Sequence, residues 1–255
     1  MTMTYGEREL KKGLSGEDIV ELQTRLAGFR GTIPDGQFGP STELQVVSFQ
    51  KDYMKKARPT GIADPETMAA IDAFADQYPI DFDALKCPCG ECGGFGQGKF
   101  KGKYRSGMSS VEAYYRYEYP GVHRMLLWAV RGLFFYLNDF DFVITSGYRC
   151  SINNAQKGRT STNHHGKAID VDAVLKPGED KRDDMNRCEM IRGVLVERAN
   201  AQIGWSAKNR KSLEPSDIAP TWIHYDVRSY ERKYLANHFF CSDMETLNGV
   251  RSTLI

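Results

Sequence analysis

The chain has 255 residues, of which 41% are hydrophobic, so it can bury a full core as one large domain or two unequal ones. Its 34 lysines and arginines nearly balance 33 aspartates and glutamates, and the net charge of +1 excludes a strong general attraction to nucleic acid or anionic lipid. The first thirty residues lack an uninterrupted apolar segment, and the apolar segment 122–137 is short and contains Arg124 and Arg131. We therefore expect synthesis in the cytoplasm without a signal peptide, and no membrane insertion.

Three short helices are predicted in the first eighty residues. In GLSGEDIVELQTRLAGF, Ser15 and Asp18 have the spacing of a capping box, which predicts a helix from about Gly16. After the turn sequence IPDGQFGPST, a second helix should begin near Ser41. In ADPETMAAIDAF, Asp64 is placed to cap a third helix whose first residue is a proline. This part of the chain is therefore expected to form a small all-α three-helix bundle.

Residues 13–75 resemble the peptidoglycan-binding domain found beside many cell-wall hydrolases. The matching sequences are DIVELQTRL, DGQFGPST, VVSFQ and TGIADPET. A small helical core alone would explain the apolar positions, but a tight turn does not require the residues that follow Pro34. The resemblance implies that this domain, residues 1–80, binds bacterial peptidoglycan. The turn residues expected to contact it are Asp35, Gly36, Phe38 and Gly39.

A glycine-rich stretch with three cysteines follows the helical part. Six glycines fall between residues 90 and 102, where helical periodicity stops, so residues 81–108 are predicted to be a linker or the start of a catalytic domain. Cys87, Cys89 and Cys92 could supply three ligands of a second, structural zinc ion. The candidates for a fourth ligand are Cys150, Cys188 and Cys241. Because a second C-x-x-C pair is missing, reduced and unliganded cysteines are the favoured interpretation.

Residues 109–255 are predicted to form an α+β domain with a small antiparallel sheet. An apolar helical pattern runs from 120 to 137, and a charged one from about 183 to 201. Three segments alternate with the period of half-buried strands, namely DFDFVIT, AIDVDAV and TWIHYDVR. The first segment places three apolar residues on one face: Phe140, Phe142 and Ile144.

The other two predicted strands carry polar residues on one face. Asp170 and Asp172 share a face of AIDVDAV, and His224 lies on the polar face of TWIHYDVR. Burying polar side chains on a strand face is unfavourable unless these side chains are solvated, paired with each other or coordinated to a metal ion. Zinc hydrolysis needs about three His, Asp or Glu ligands and an open position for water. Asp170, His224 and one of the adjacent histidines at 164 and 165 can supply the ligands.

The motifs SGYRC, STNHHGKAID and TWIHYD, within residues 82–230, resemble those of a family of zinc peptidases. The family includes D-alanyl-D-alanine carboxypeptidases and L-alanoyl-D-glutamate endopeptidases. The resemblance implies hydrolysis of a wall-peptide amide with one catalytic zinc ion. It also implies that Arg149 steadies a substrate carboxylate or the developing oxyanion, the alternative being a structural salt bridge. With its wall-binding part, the chain resembles a bacteriophage endolysin, monomeric and released to the wall through holin-made holes.

Two departures from the family pattern affect the predicted site. Asn163 stands where the first ligand histidine is usual, and the turn expected at Gly166 favours His164 over His165 as that ligand. Thr221 stands where relatives carry a glutamate that acts as the general base. The base is therefore left open among three residues, of which the first is slightly favoured: Asp217, Asp226 and His165.

The predicted function is a zinc-dependent peptidoglycan hydrolase whose metal ligands are His164, Asp170 and His224, and which cleaves the peptide stem as an endopeptidase. One alternative is a D-alanyl-D-alanine carboxypeptidase of normal wall metabolism. Another is a wall-binding protein with an inactive peptidase site, which the missing glutamate and the displaced histidine favour. In each case residues 1–80 are expected to supply wall affinity and no chemistry.

Overall fold

The N-terminal part of the chain is helical. The structure is a computed structural model, and it describes residues 4–100, 117–138, 141–206 and 209–249. The helices of this part are α1 (Glu17–Arg25), α2 (Pro40–Asp52), α3 (Pro65–Gln77) and the short α4 (Phe82–Leu85). The first two begin one residue from their predicted positions, and α3 begins at the predicted proline. The three predicted helices are therefore present.

The start of α1 differs from the prediction. Its N-cap is Gly16, with φ of 147°, and no side chain caps the helix. Ser15 instead forms an isolated β-bridge with Gln37, and the Asp18 carboxylate accepts a hydrogen bond from Arg8 Nε at 2.7 Å. The predicted capping box is wrong because both of its residues have partners outside the helix.

The start of α3 agrees with the prediction, and its inner face packs on an aromatic cluster. Asp64 Oδ1 accepts a hydrogen bond from the Thr67 backbone N–H at 2.8 Å, which caps the helix. Behind the cap, Phe74 lies edge-on to Phe29 and to Phe49, with ring centroids 5.3 and 5.9 Å apart. These rings form the centre of the helical part.

A three-stranded antiparallel sheet organises the second half. Its strands are β4 (Phe142–Ser146), β5 (Ala168–Ala173) and β8 (Ile223–Asp226), in the order β4-β5-β8. Three two-stranded antiparallel pairs also occur: β1 (Lys99–Phe100) with β2 (Tyr117–Glu118), β3 (Val122–His123) with β9 (Phe240–Cys241), and β6 (Trp205–Ser206) with β7 (Asn209–Arg210). Small antiparallel sheets are thus confirmed, whereas the predicted inward residue Phe140 lies outside the described residues.

The described residues of the second half also form four helices, of which Lys181–Arg198 packs on β5 and β8. They are α5 (Arg124–Tyr136), α6 (Ser151–Gln156), α7 (Lys181–Arg198) and α8 (Met244–Asn248), with 3₁₀ turns at Arg232–Leu235 and Asn237–Phe239. The predicted helices at 120–137 and 183–201 correspond to α5 and α7. Within the described ranges, no helix is both long and apolar enough to cross a membrane.

The helical part packs directly on α5. Gly28 and Gly132 meet so closely that a Cβ atom on Gly28 would lie 2.8 Å from Gly132 Cα. Beside this contact, both carboxylate oxygens of the buried Glu21 accept hydrogen bonds from Arg124, at 2.7 and 2.8 Å. The buried apolar residues of the two parts form one continuous cluster. The proposed division near residue 80 therefore separates two parts that share a core, and the proposed boundary at 108/109 lies outside the described residues.

Candidate metal centre

Strand pairing brings two of the predicted ligands together. Asp170 in β5 stands directly opposite His224 in β8, and His224 Nδ1 lies 2.7 Å from Asp170 Oδ1. On its other side, Asp170 is paired with Ser146 of β4, where the register shifts. The Asp170 side chain therefore projects from the central strand and that of His224 from the adjacent edge strand, and the strand pairing fixes their separation.

The third predicted ligand comes from the loop before β5. Gly166 has φ of 101°, and a Cβ atom there would lie 2.3 Å from Gly121 O, so the chain turns at a position that requires glycine. His164 Nδ1 lies 2.7 Å from Gly147 O, to which it donates a hydrogen bond, and its Nε2 lies 3.2 Å from Asp170 Oδ1. The neighbouring His165 is directed elsewhere, with its Nε2 3.4 Å from Asn154 Nδ2. The turn thus sends His164, and not His165, to Asp170.

We call His164, Asp170 and His224 the His–Asp–His cluster. One ligand atom from each member lies within 4.8 Å of the others. His164 Nε2 is buried and makes no hydrogen bond of good geometry with the described residues. The second nitrogen of each imidazole has a partner, since His224 Nε2 lies 3.1 Å from Asp226 Oδ2. Two oriented imidazoles and one carboxylate fit the three-ligand set of a catalytic zinc ion.

The electrostatics of the His–Asp–His cluster follow from its burial and short contacts. Burial opposes protonation of His224, but its hydrogen bonds to Asp170 and Asp226 outweigh this and raise its pKa to about 9. Burial also opposes ionisation of Asp170, yet its close contacts with His164 and His224 hold its pKa far below the usual range. The pKa of His164 is lowered, chiefly by burial. The cluster therefore holds an ionised carboxylate beside one imidazole that stays neutral and one that takes a proton.

The His–Asp–His cluster opens into a polar cavity of about 510 Å³. Asp170 and His224 form part of its wall, together with Thr145, Arg149, Arg159, Ser161, Asn163, Asp172, Glu214, Thr221 and Trp222. The pKa of Asp172 is raised, first by burial and also by the nearby Asp170 charge. A substrate that enters this cavity would meet three carboxyl groups, from Asp170, Asp172 and Glu214, and the guanidinium groups of Arg149 and Arg159.

Arg149, which by resemblance to the zinc peptidases should steady a carboxylate or an oxyanion, lies beside the His–Asp–His cluster. Its Nη2 is 3.3 Å from Asp170 Oδ2, and its backbone N–H donates to His164 O at 2.8 Å. The side chain is part of the cavity wall, so its charge reaches both the cluster and the open space. Arg149 thus forms a salt bridge, with Asp170, and its side chain still lines the cavity.

None of the three residues considered as the general base is part of the cavity wall. Asp217 is exposed on the surface. Asp226 is 1% exposed behind His224, where its Oδ1 also accepts a hydrogen bond from the Arg228 backbone N–H at 2.9 Å. His165 is fully buried. Their roles as base stay predictions from sequence, without support from their positions.

Glu214 is the cavity residue that sequence reasoning missed. Its segment runs beside β8, where Leu213 bridges to Tyr225 and the Glu214 N–H donates to His224 O at 3.3 Å. The side chain is part of the cavity wall, and burial raises its pKa although the nearby charges of His224 and Arg228 oppose this. Glu214 lies ten residues before His224, too far for the spacing of the family glutamate, and only the β-bridge reveals that the two are adjacent.

The predicted wall-contacting residues of the first part have structural partners. Asp35 Oδ1 accepts hydrogen bonds from Gln23 Nε2 at 2.8 Å and from the Gln37 N–H at 2.9 Å. Phe38 is 2% exposed, so its ring faces the core and not a polymer on the surface. Gly36 has φ of 74°, and Gly39 is the N-cap of α2. Each of these residues therefore has a structural role in the turn, and their contact with peptidoglycan stays a prediction from sequence.

The three linker cysteines are joined by a fourth. One thiol each from Cys87, Cys89, Cys92 and Cys150 lies within 4.8 Å of the others. The two remaining candidates for the fourth ligand are elsewhere. Cys188 Sγ lies 3.8 Å from Asp184 Oδ1, and Cys241 Sγ lies 3.6 Å from Val122 O. The structure thus selects Cys150 among the three alternatives.

Comparison with known proteins finds a family model that matches the helical part and two relatives that are similar to longer stretches of the chain. Residues 15–71 match the family model described as "Putative peptidoglycan binding domain", which confirms the predicted domain type. The chain is similar to the "Zinc D-Ala-D-Ala carboxypeptidase" of Streptomyces albus G, with 29% identity over 172 residues that cover 64% of this chain and 61% of that enzyme. It is also similar to the "Probable N-acetylmuramoyl-L-alanine amidase" of Bacillus licheniformis, with 43% identity over 68 residues, or 25% of this chain and 19% of that protein. The matches span less than two thirds of either relative.

Proposed function

We propose that this chain is a zinc-dependent peptidoglycan hydrolase that cleaves an amide bond of the wall peptide stem. The observation that carries the proposal is the His–Asp–His cluster, which opens into a polar cavity beside Arg149. The match of residues 15–71 to a peptidoglycan-binding domain, and the similarity to a zinc carboxypeptidase, support the same substrate class. We further propose that it acts as an endopeptidase and serves as a phage endolysin, reaching the wall after holins open the host membrane.

The His–Asp–His cluster would hold the zinc ion through His164 Nε2, the Asp170 carboxylate and His224 Nδ1. The hydrogen bonds of His164 Nδ1 to Gly147 O and of His224 Nε2 to Asp226 fix both ring orientations. Zinc binding requires both ligand nitrogens to be unprotonated, so the proton on His224 must leave. A zinc ion in such a site acidifies water and polarises a carbonyl group.

Arg149 is proposed to orient the substrate. Its guanidinium is held beside Asp170 and faces the cavity, so it can donate hydrogen bonds to a substrate carboxylate or to the oxygen on which negative charge develops. A fixed cation at this position costs little reorganisation when that charge forms. Trp222, in the same wall, offers an apolar surface for the stem peptide.

Glu214 is proposed as the general base in place of the absent glutamate. Thr221 is also part of the cavity wall, but a hydroxyl does not accept a proton from water near neutral pH. The Glu214 carboxylate would take the proton of the attacking water and return it to the leaving amine nitrogen. Its raised pKa, caused chiefly by burial, suits a group that exchanges a proton in both directions.

A D-alanyl-D-alanine carboxypeptidase activity is the second candidate. It is favoured by the similarity to the Streptomyces albus G enzyme over 64% of this chain. Arg149 would then bind the terminal carboxylate of the stem, whereas an endopeptidase would present an internal bond to the same cavity. The two activities release different products from one polymer.

The deciding experiment uses the full chain with purified sacculi and with a synthetic pentapeptide stem that ends in D-Ala-D-Ala. Mass spectrometry of the products should show cleavage within the stem, and the activity should disappear after exhaustive chelation and return with zinc. Release of free D-alanine alone would establish the carboxypeptidase. Undiminished turnover after verified metal removal, or no cleavage by the zinc-loaded protein, would contradict the proposed function.

A further inference from the structure

The first observation concerns the spacing of the four thiols Cys87, Cys89, Cys92 and Cys150, which we call the cysteine cluster. Cys150 Sγ lies 3.6 Å from Cys87 Sγ and 3.5 Å from Cys89 Sγ. A disulfide requires about 2.05 Å between its sulfur atoms. Four thiolates around a tetrahedral zinc ion, each at about 2.3 Å from the metal, stand roughly 3.8 Å apart. The observed separations therefore match a tetrahedral metal site and not a pair of disulfides.

Backbone amides are aimed at the sulfur atoms of the cysteine cluster. The N–H of Cys150 donates to Cys87 Sγ at 3.3 Å, that of Glu91 to Cys89 Sγ at 3.3 Å, and that of Asn153 to Cys150 Sγ at 3.4 Å. Donors around a thiolate orient it and offset part of its charge, as outer-shell partners do in metal sites. Three sulfur atoms thus have the hydrogen bonds that ligated sulfur needs.

The loop conformation is adapted to bring three cysteines to one point. Gly90, Gly93 and Gly94 have φ of 75°, 72° and 101°, so the chain reverses within a few residues between and after the cysteines. The loop is closed by a hydrogen bond from the Cys87 N–H to Gly94 O at 2.7 Å. These three glycines therefore have a role that a simple linker would not require, because they let the loop fold around the position of a bound ion.

Burial of the cysteine cluster is uneven in a way that suits a metal ion. Cys87 and Cys150 are 7% and 1% exposed, whereas Cys89 and Cys92 are partly exposed. An ion can therefore enter from the side of Cys89 and Cys92 and be enclosed by the other two. Four soft thiolate ligands without carboxylate or imidazole favour zinc among the common divalent cations.

We propose that Cys87, Cys89, Cys92 and Cys150 bind a structural zinc ion, distinct from the His–Asp–His cluster. All four positions are filled by protein, which leaves no place for water and therefore indicates a structural ion. The ion would join the glycine-rich loop to the segment that carries Arg149, since Cys150 directly follows Arg149. The same two segments already meet where the Tyr148 N–H donates to Leu85 O at 2.7 Å.

The test measures zinc in the full chain, purified under reducing conditions, by elemental analysis. The wild type should carry two zinc ions per chain, and Cys92→Ser should lose one of them. His164→Ala should lose the other and keep the ion of the cysteine cluster, so that failure of this proposal and failure of the proposed function are distinguishable. Cys188→Ala is the matched control, because Cys188 is a buried cysteine outside the cluster.

Replacement of zinc by cobalt tests for thiolate ligands, first in the wild type and then in the same variants. Cobalt-loaded wild type should show intense thiolate-to-cobalt charge-transfer bands, which should remain in His164→Ala and Cys188→Ala and vanish in Cys92→Ser. If Cys92→Ser does not fold, the wild-type spectrum and its zinc content still decide. Absence of thiolate-to-cobalt bands in the wild type, a zinc content unchanged by Cys92→Ser, or a disulfide within the cluster in freshly reduced protein would overturn the proposal.

Discussion

Buried polar side chains of the helical part and those of the His–Asp–His cluster differ in how completely they are satisfied. Gln50, which is fully buried, donates to Ile62 O at 2.9 Å and to Thr67 Oγ1 at 3.0 Å. Its own oxygen accepts from the Thr60 and Gly61 N–H groups at 2.8 and 3.0 Å. Both the nitrogen and the oxygen of this amide are hydrogen-bonded within the helical part, and these bonds connect α2 to the loop before α3 and to α3 itself.

The His–Asp–His cluster is arranged differently. His164 Nε2 is buried and without a hydrogen bond of good geometry among the described residues, and the cluster faces a cavity. Asp170 Oδ1 lies 3.2 Å from this nitrogen without forming a hydrogen bond, and a buried polar atom whose hydrogen bond is not satisfied costs about 1–3 kcal/mol. The comparison teaches that closed networks such as that of Gln50 stabilise the fold, whereas a cluster that faces a cavity keeps ligand atoms available for binding.

The largest expected effect on stability comes from breaking the closed network between the two parts. Glu21→Ala leaves the buried Arg124 and Arg25 without their shared carboxylate, so the free energy of unfolding should fall by about 3–5 kcal/mol. Urea denaturation measures this. Glu43→Ala, which removes only an exposed pair with Lys12, is the control and should change it by less than about 1 kcal/mol. Equal effects of the two variants would contradict the role of the buried pair.

The next effect concerns the open cavity and leaves the fold intact. Glu214→Gln should lower kcat by about a hundred-fold or more, because the amide does not take a proton from water. Zinc content and thermal unfolding should stay near those of the wild type. Asp217→Asn, on the exposed surface, should keep full activity. Loss of activity in Asp217→Asn with normal turnover in Glu214→Gln would restore the residue first favoured from the sequence.

The buried His123 is a titratable member of a closed network, so the free energy of unfolding should decrease in acid. Burial lowers the pKa of His123 to about 4, although a hydrogen bond to Tyr234 O opposes this and Arg124 and His238 reinforce it. Its neutral form is thus favoured in the folded state, so its contribution is complete above pH 6.5 and is lost as the pH falls toward about 4. At pH 5 the loss should reach about 2 kcal/mol. In His123→Gln, the fall in unfolding free energy between pH 7 and 5 should be smaller by about this amount; an unchanged fall would contradict the assignment.

The smallest effect should come from a local cap. Asp64→Ala removes the hydrogen bond from the Thr67 N–H and should lower the free energy of unfolding by about 1 kcal/mol. Asp64→Asn keeps an acceptor and should recover most of this loss. If Asp64→Ala lowered the free energy of unfolding as much as Glu21→Ala does, the distinction between a local cap and the network that joins the two parts would be contradicted.

Local features of the sequence predicted local structure well. The Asp64 cap and the proline after it define the start of α3, and the alternation in AIDVDAV places Asp170 on one face of β5. The position of Gly166 before this strand indicated the direction of His164. Such features depend on neighbours in the chain, for which spacing is informative.

Features that depend on distant residues were either left open among alternatives, as for Cys150, or missed, as for Glu214. Cys150 joins cysteines about sixty positions earlier, and Glu214 is adjacent to His224 only through a bridge between separate segments. The contact of Gly28 with Gly132 likewise depends on how the turn after α1 packs on α5. Ser15 and Asp18 had the spacing of a cap but found partners outside the helix, so even a local pattern yields when a tertiary contact is stronger.

The most direct test of the open His–Asp–His cluster compares two adjacent histidines. His164→Ala and His165→Ala are measured side by side for zinc content and for hydrolysis of sacculi. His164→Ala should lose the ion of the His–Asp–His cluster and all measurable activity, whereas His165→Ala should retain that ion even if turnover falls. The cobalt bands of the cysteine cluster should be unchanged in both variants. Zinc retained with full activity in His164→Ala, or zinc lost from His165→Ala alone, would contradict the account.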